Sequence, residues 1–415
     1  MRIGLFTDSY HPATNGVVLV VDGMQRDLEQ LGHEVFIVAP AASLKWWQHP
    51  REHRVIRLAS IRGLFFNDSS VSVFFPPKQL KRIAALHLDA IVIFTPTQIG
   101  LMGAYAALTL NIPLVSQYCT DLTEYVERYP QVMPAVIALY TTVPFALKMN
   151  AKDMMKLTKS VALTRLDAFS SWRSYTVERT LTLLHNRCQA IISVSPKVTS
   201  MLQGWGTESP IYTIPSGINV GAVDAQKVAS LRQHYNLVDK KVLLYVGRVA
   251  KEKNVDLLLD TLPAVVRAHP ETRLLIVGDF DYLAQLKARV QTMQLDEYVV
   301  FTGHVPFDER WNYFALGDIF CFPSLTDTQA LVINEAALMS LPTVWCDPGL
   351  NGVLVNKSSG ILARPTAASF GRAINYLFAH PLVAKKIGAA ARVRARRCSS
   401  ESQARKIEAV LRALT

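Results

Sequence analysis

The sequence runs to 415 residues, 50% of them hydrophobic, with 44 Lys and Arg against 33 Asp and Glu. That length predicts two domains, each able to bury a sizeable core. The five cysteines (Cys119, Cys188, Cys321, Cys346, Cys398) are scattered without a CxxC pair. This excludes zinc and disulfide frameworks and fits reduced thiols in the cytosol. No uncharged apolar run reaches about eighteen residues, so no membrane span is predicted. A formal charge of +11 calls for an anionic partner, either a membrane surface or nucleic acid.

The chain starts on a strand pattern, Arg2 to Phe6, with no signal peptide before it, and a cytoplasmic protein is expected. A polar loop with Pro12, Asn15 and Gly16 follows. A helix is predicted from about Val17 to Gln30, capped by Gly32, and then a strand from Glu34 to Ala39. This βαβ start lacks the GxGxxG of dinucleotide enzymes, and Gly16 by itself reads as a turn glycine. Further strands are predicted at Val55–Leu58, Ala90–Phe94, Leu114–Gln117, Ala190–Val194 and Ile211–Ile214, and their alternation with helices predicts a parallel α/β sheet.

Two stretches of the first half mix basic and apolar residues. Trp46, Trp47, Phe65, Phe66, Phe74 and Phe75 lie among Arg51, Arg54, Arg57 and Arg62. No RNA- or DNA-binding motif accompanies them, so packing is the expectation and nucleic acid is not an expected partner. Lys148, Lys152, Lys156 and Lys159 recur at helical spacing, with Leu147, Met154, Met155 and Val161 on other faces. A basic helix lying on a membrane and an ordinary solvated face are both open.

In the second half, Val242–Val246 is a strand, Gly247 gives the turn, and Arg248 and Lys253 follow five residues apart. After the strand Leu274–Val277 comes Asp279-Phe280-Asp281, an acid pair with the look of a metal site but in the position of a turn. No metal is expected. Ile319–Phe322 is a buried strand, Leu325 to Thr328 a loop, and a helix is predicted from about Thr328 until Pro342 stops it. Thr343–Trp345 completes a βαβ unit, whose ligand site belongs at the strand's carboxyl end. Asp327 sits in the loop and Glu335 eight residues on, about two helical turns away. The N–H groups of Thr328 to Leu331 would seat a phosphate, with a carboxylate on either side for vicinal hydroxyls. Spacing alone fits equally an N-terminal acid favoured by the helix dipole and an unrelated helix glutamate.

The string DTQALVINEAALMSLP resembles the signature of retaining nucleotide-sugar glycosyltransferases of family 4, and the likeness extends along most of the chain. The resemblance implies an α/β GT-B fold, two Rossmann-like domains with parallel sheets facing across a cleft. Residues 1–215 would form the acceptor domain and 216–390 the nucleotide-sugar domain, IPSGIN (Ile214 to Asn219) marking the junction. Residues 391–415 would form a terminal helix crossing back. It further implies that Arg248 and Lys253, with Gly247 and the amides of Thr328, Gln329, Ala330 and Leu331, hold the donor diphosphate. Asp327 would take the hexose hydroxyls and Glu335 the ribose hydroxyls, while Gly16 lets the loop backbone approach the donor.

Three departures accompany the likeness. The family segment Tyr-His-Thr-Asp stands here as Tyr118, Cys119, Thr120 and Asp121, so a weak hydrogen-bond donor replaces a residue that contacts the hexose. Ala330 and Ser340 replace two usual glycines, and a left-handed cap at Ser340 costs roughly 1 kcal/mol. The implied activity is transfer of a hexose from a nucleotide diphosphate sugar to a hydroxyl. The resemblance implies attack from the front face, with the leaving phosphate taking the acceptor's proton. The TDTQ form of the signature resembles members that glycosylate diacylglycerol. This implies a lipid acceptor and an enzyme peripheral on the inner face of the plasma membrane, with no cofactor. The alternatives are a soluble or polysaccharide acceptor, and a nucleotide-sugar-binding or scaffold protein that has lost turnover.

Overall fold

Short apolar runs make the strands of two parallel sheets, each buried on both faces, which is why the runs are continuous rather than alternating. The computed structural model describes residues 1–13, 15–41, 53–62, 70–72, 77–129, 133–151, 154–155, 169–352 and 354–415. They divide into two compact units, Met1–Gly217 with Ser400–Thr415, and Ile218–Ser399.

The first unit contains β1 (Arg2–Phe6), β2 (Glu34–Pro40), β3 (Val55–Leu58), β4 (Ser60–Arg62), β5 (Ser70–Ser72), β6 (Ala90–Ile93), β7 (Leu114–Tyr118), β8 (Ala190–Ser193) and β9 (Ile211–Thr213). Seven of these form one parallel sheet in the order β3-β2-β1-β6-β7-β8-β9, and β4 and β5 form a separate hairpin. The second unit contains β10 (Lys241–Val246), β11 (Thr272–Val277), β12 (Val299–Gly303), β13 (Ile319–Phe322), β14 (Thr343–Trp345) and β15 (Ile361–Leu362), ordered β12-β11-β10-β13-β14-β15. In both sheets the first strand lies at the centre and the order reverses beside it, as in Rossmann-like folds. Successive residues of the second sheet serve two cores. Leu244, Val246, Phe320 and Phe322 pack on one face, and Leu243, Tyr245, Ile319 and Cys321 on the other.

Most predicted strands end within a residue or two of the observed ones, with Phe94, Val194 and Ile214 just past the ends. The first helix, Gly16–Gln30, starts where the Asn15 side chain accepts from the amides of Val17 and Val18. The final helix, Ser400–Arg412, packs on that first helix within the same unit. Arg26 reaches Ser400 Oγ at 3.1 Å, His33 meets Glu408 at 3.0 Å, and Ala404, Ile407 and Leu411 are fully buried.

One expectation needs correction. The helix predicted from Thr328 begins at Leu331, because Ala330 has φ +59° and cannot continue a right-handed turn. Of the lysine stripe, only Lys148 lies among the described residues. Met133–Ala146 is helical, but Lys148 follows it with φ +50°, its ammonium over the Tyr105 ring. Trp46, Trp47, Arg51, Phe65, Phe66, Phe74, Phe75, Lys152, Lys156, Lys159 and Val161 lie outside the described residues. Arg57 is buried and donates to the carbonyls of His11 and Pro40, so it serves packing.

Candidate active site

The order of the second sheet reverses between β10 and β13, so the loops leaving their carboxyl ends diverge around one site. After β10 come Gly247, Arg248 and a single 3-10 turn, Lys251–Lys253. After β13 come Ser324 and Asp327. The two loops are tied together, Lys253 Nζ donating to Asp327 Oδ1 at 2.7 Å and Asn254 Nδ2 to the Pro323 carbonyl at 3.3 Å. Burial alone would lift the Asp327 carboxyl. The Lys253 ammonium, the Ser324 hydroxyl and the Arg248 guanidinium outweigh it and hold that group below the usual carboxylate range. Asp327 is therefore ionised at neutral pH.

Arg248 is the more open cation. Its guanidinium contacts Glu252 at 3.3 Å and lies over the Phe280 ring, and its side chain is 45% exposed. Its carbonyl accepts from the buried Tyr245 hydroxyl at 2.8 Å, which pins the turn. The Asp279-Phe280-Asp281 segment is a turn behind this loop, the Asp279 carbonyl accepting from the Val249 amide. Gly278, before it, has φ +137°, and a Cβ there would stand 2.0 Å from the Gly247 carbonyl oxygen, so only glycine fits. Arg248, Lys253 and Asp327, joined only by sequence spacing before, thus converge.

Beyond Asp327, Thr328 and Gln329 are half-buried loop residues and Ala330 is buried. The helix runs Leu331–Leu338, and the Ile333 amide closes its first turn onto the Ala330 carbonyl. Of the four amides assigned to the helix start, only that of Leu331 belongs to it. Glu335 faces inward at 1% exposure and meets a residue absent from the sequence reading, Arg310, whose Nη2 lies 2.6 Å from Glu335 Oε1. Burial pushes the Glu335 carboxyl up to about 7 against the pull of Arg310, and burial lowers the Arg310 guanidinium to about 10. Arg310 lies between two aromatic neighbours, Phe307 and Trp311. A cation between two aromatic residues in sequence, just after β12, was the available signal.

The remaining predicted residues belong to the first unit. Gly16 is exposed and opens the first helix. Cys119 follows β7, half-buried, its Sγ 3.5 Å from the Phe94 carbonyl oxygen, and burial pushes its thiol up to about 11. It is neither thiolate nor cation at neutral pH. Asp121 Oδ1 accepts from the amides of Thr123 and Glu124 and from the Thr123 hydroxyl, which caps the helix Leu122–Arg128.

Two doubly wound parallel sheets, one in each unit, are the architecture of the GT-B class. The family model described as Glycosyltransferase Family 4 matches residues 14–221, and that described as Glycosyl transferases group 1 matches residues 240–380. The chain belongs to glycosyltransferase family 4. It is 26% identical to an alpha-monoglucosyldiacylglycerol synthase of Streptococcus pneumoniae, over 87% of this chain and 75% of that one. A protein of the same name from Acholeplasma laidlawii is 25% identical over 87% and 86%. Among solved structures, sucrose-phosphate synthase of Thermosynechococcus elongatus superposes with TM-score 0.68 at 19% identity, covering 100% of this chain and 98% of that one. Anabaena HepE in complex with UDP and glucose gives 0.71 at 17%, covering both chains fully at 100%. The protein is a nucleotide-sugar-dependent hexosyltransferase.

Proposed function

We propose that the protein moves a hexose, with retention of anomeric configuration, from a nucleotide diphosphate sugar to the hydroxyl of a membrane glycerolipid such as diacylglycerol. The observation that carries this reading is the convergence of Arg248, Lys253 and Asp327 at the reversal point of the second sheet. Breaking the sugar–phosphate bond builds negative charge on the departing diphosphate. Arg248 and Lys253 meet that charge, helped by the amides at the start of the Leu331 helix. Asp327, kept ionised, accepts from hexose hydroxyls, and Glu335 takes the ribose hydroxyls. The leaving phosphate oxygen accepts the acceptor's proton as the new glycosidic bond forms on the same face.

The lipid acceptor draws support from the names of the two diacylglycerol-acting relatives and from the surface of the first unit. On the Met133–Ala146 helix, Ile137 and Phe145 stand two turns apart at 55% and 53% exposure, beside exposed Lys148. No helix among the described residues is long and apolar enough to cross a membrane. Attachment to the inner face of the plasma membrane would then rest on apolar insertion plus charge, at about 1 kcal/mol per basic residue near an anionic surface. The test is incubation of the purified protein with radiolabelled UDP- and GDP-hexoses and diacylglycerol in anionic or neutral vesicles. Label passing into lipid, faster on anionic vesicles, is the expected result. Label released only as water-soluble product removes the lipid acceptor and leaves the transferase. No diphosphate release with any donor returns the binding-protein reading.

A further inference from the structure

The ion pair inside the second unit is incompletely bonded in a specific way. Arginine and a carboxylate normally meet fork to fork, two N–H donors on two oxygens. Here only Nη2 of Arg310 reaches Oε1 of Glu335. Arg310 Nε and Glu335 Oε2 are both buried, and neither meets a partner among the described residues. One idle donor and one idle acceptor therefore remain on a single pair, and each such group costs stability unless something fills it. The side chain of Arg310 is 12% exposed against 1% for Glu335, so the guanidinium is the outer member and Glu335 is reached past it. The guanidinium lies over the Phe307 ring and 5.4 Å from the centre of the Trp311 ring, cation–π neighbours that take no hydrogen bond from it in the guanidinium plane.

We propose that Arg310 is a donor-recognition residue, forming with Glu335 a two-point socket for the vicinal diol of the nucleotide's ribose. The chemistry of a diol matches the idle pair. One hydroxyl donates to the glutamate oxygen while its neighbour accepts from the arginine N–H, and a phosphate, which only accepts, cannot do both. Entry requires the guanidinium to turn outward, after which it stays bonded to the ribose. The inference rests on the proposed donor reading and adds a residue to it. It also explains why a buried arginine stands where a plain apolar residue would pack at lower cost.

The experiment compares ribo- and 2′-deoxyribonucleoside diphosphates, UDP against dUDP and GDP against dGDP, by calorimetry on wild type, Arg310→Gln and Arg310→Lys. Wild type should bind the preferred ribo form about tenfold or more tightly than its deoxy counterpart, as sites built around a hydroxyl do. In Arg310→Gln the ratio should fall to within about threefold. Lysine keeps the buried charge and hence the fold but lacks the second fork N–H, so Arg310→Lys should also lose most of the ratio. An unchanged ratio in either folded variant overturns the proposal and leaves Arg310 as packing. Tighter binding of ribo and deoxy forms alike would make Arg310 a mere cover, which also overturns it. Failure of every nucleoside diphosphate to bind wild type instead removes the donor reading itself.

Discussion

Lys253 and Asp327 are each about one-sixth exposed, at 16% and 17%, so either one alone is a charge in poor solvent. Lys253→Ala should therefore act twice. Turnover should fall roughly 100-fold, as when a transition-state charge clamp is lost. Stability should also fall, by up to about 3–5 kcal/mol, because Asp327 keeps its charge without its partner. Arg248→Ala should lower turnover similarly and leave stability within about 0.5 kcal/mol, since that side chain is largely in water. Stopped turnover assays and thermal melts on both variants check this, and a Lys253→Ala protein that melts like wild type denies the pair. Glu335 gives a pH signature. Its carboxyl sits at about 7 in the fold against an ordinary 4.5, so the folded state holds the extra proton. The stability it contributes is full below about pH 4.5 and lost as pH rises through about 7, a span worth on the order of 3 kcal/mol. Glu335→Gln should lack that decline, so its stability relative to wild type should climb across this window. Parallel curves would place Glu335 in a wetter setting. Donor binding by Glu335→Gln should weaken by about 1.5–3 kcal/mol. Arg248, Lys253 and Asp327 were legible because each lies in a contiguous string. Arg310 was not, because its partner is 25 residues away and only tertiary packing brings the two together.

The Leu331–Leu338 helix is bracketed by two residues that resist their own backbone. Ala330 before it has φ +59° and Ser340 after it φ +62°, both left-handed. Each lies where the family signature usually has glycine. Ala330→Gly and Ser340→Gly should each raise stability by about 0.5–1 kcal/mol, the relief of strain exceeding the gain in unfolded-chain freedom. Denaturant midpoints measure it, and a drop in either would show that the left-handed turn is not what holds that end. The apolar strands were legible because burial on both faces writes an unbroken run into the sequence. The helix start was not. Periodicity does not report the sign of φ, and polar Thr328 and Gln329 resemble a capping segment while lying in the loop.

At the scale of the molecule, the repetition of strand and helix was enough to give two parallel sheets. The assignment of Ser400–Thr415 to the first unit rests on contacts far apart in sequence. Ile407 and Leu411 are fully buried there, His33 meets Glu408, and Gln403 Oε1 accepts from the Gly217 amide. Deleting Ser400–Thr415 should lower the melting temperature of the first unit, each lost aliphatic side chain removing about 1.5–3 kcal/mol. Ile407→Ala should lower it partway, by about 2–5 kcal/mol. Melting unchanged by the deletion would mean that the helix is an ornament. The same contact sets an order of events in synthesis. The opening helix, Gly16–Gln30, leaves the ribosome early, yet the surface that covers it is encoded after the whole of Ile218–Ser399. At usual elongation rates that interval is roughly 10–40 s, during which the first-made half of the protein carries an uncovered apolar stripe. A nascent chain should therefore bind chaperones until the Ser400–Arg412 helix emerges, so the half that begins first closes its core after the second unit is made.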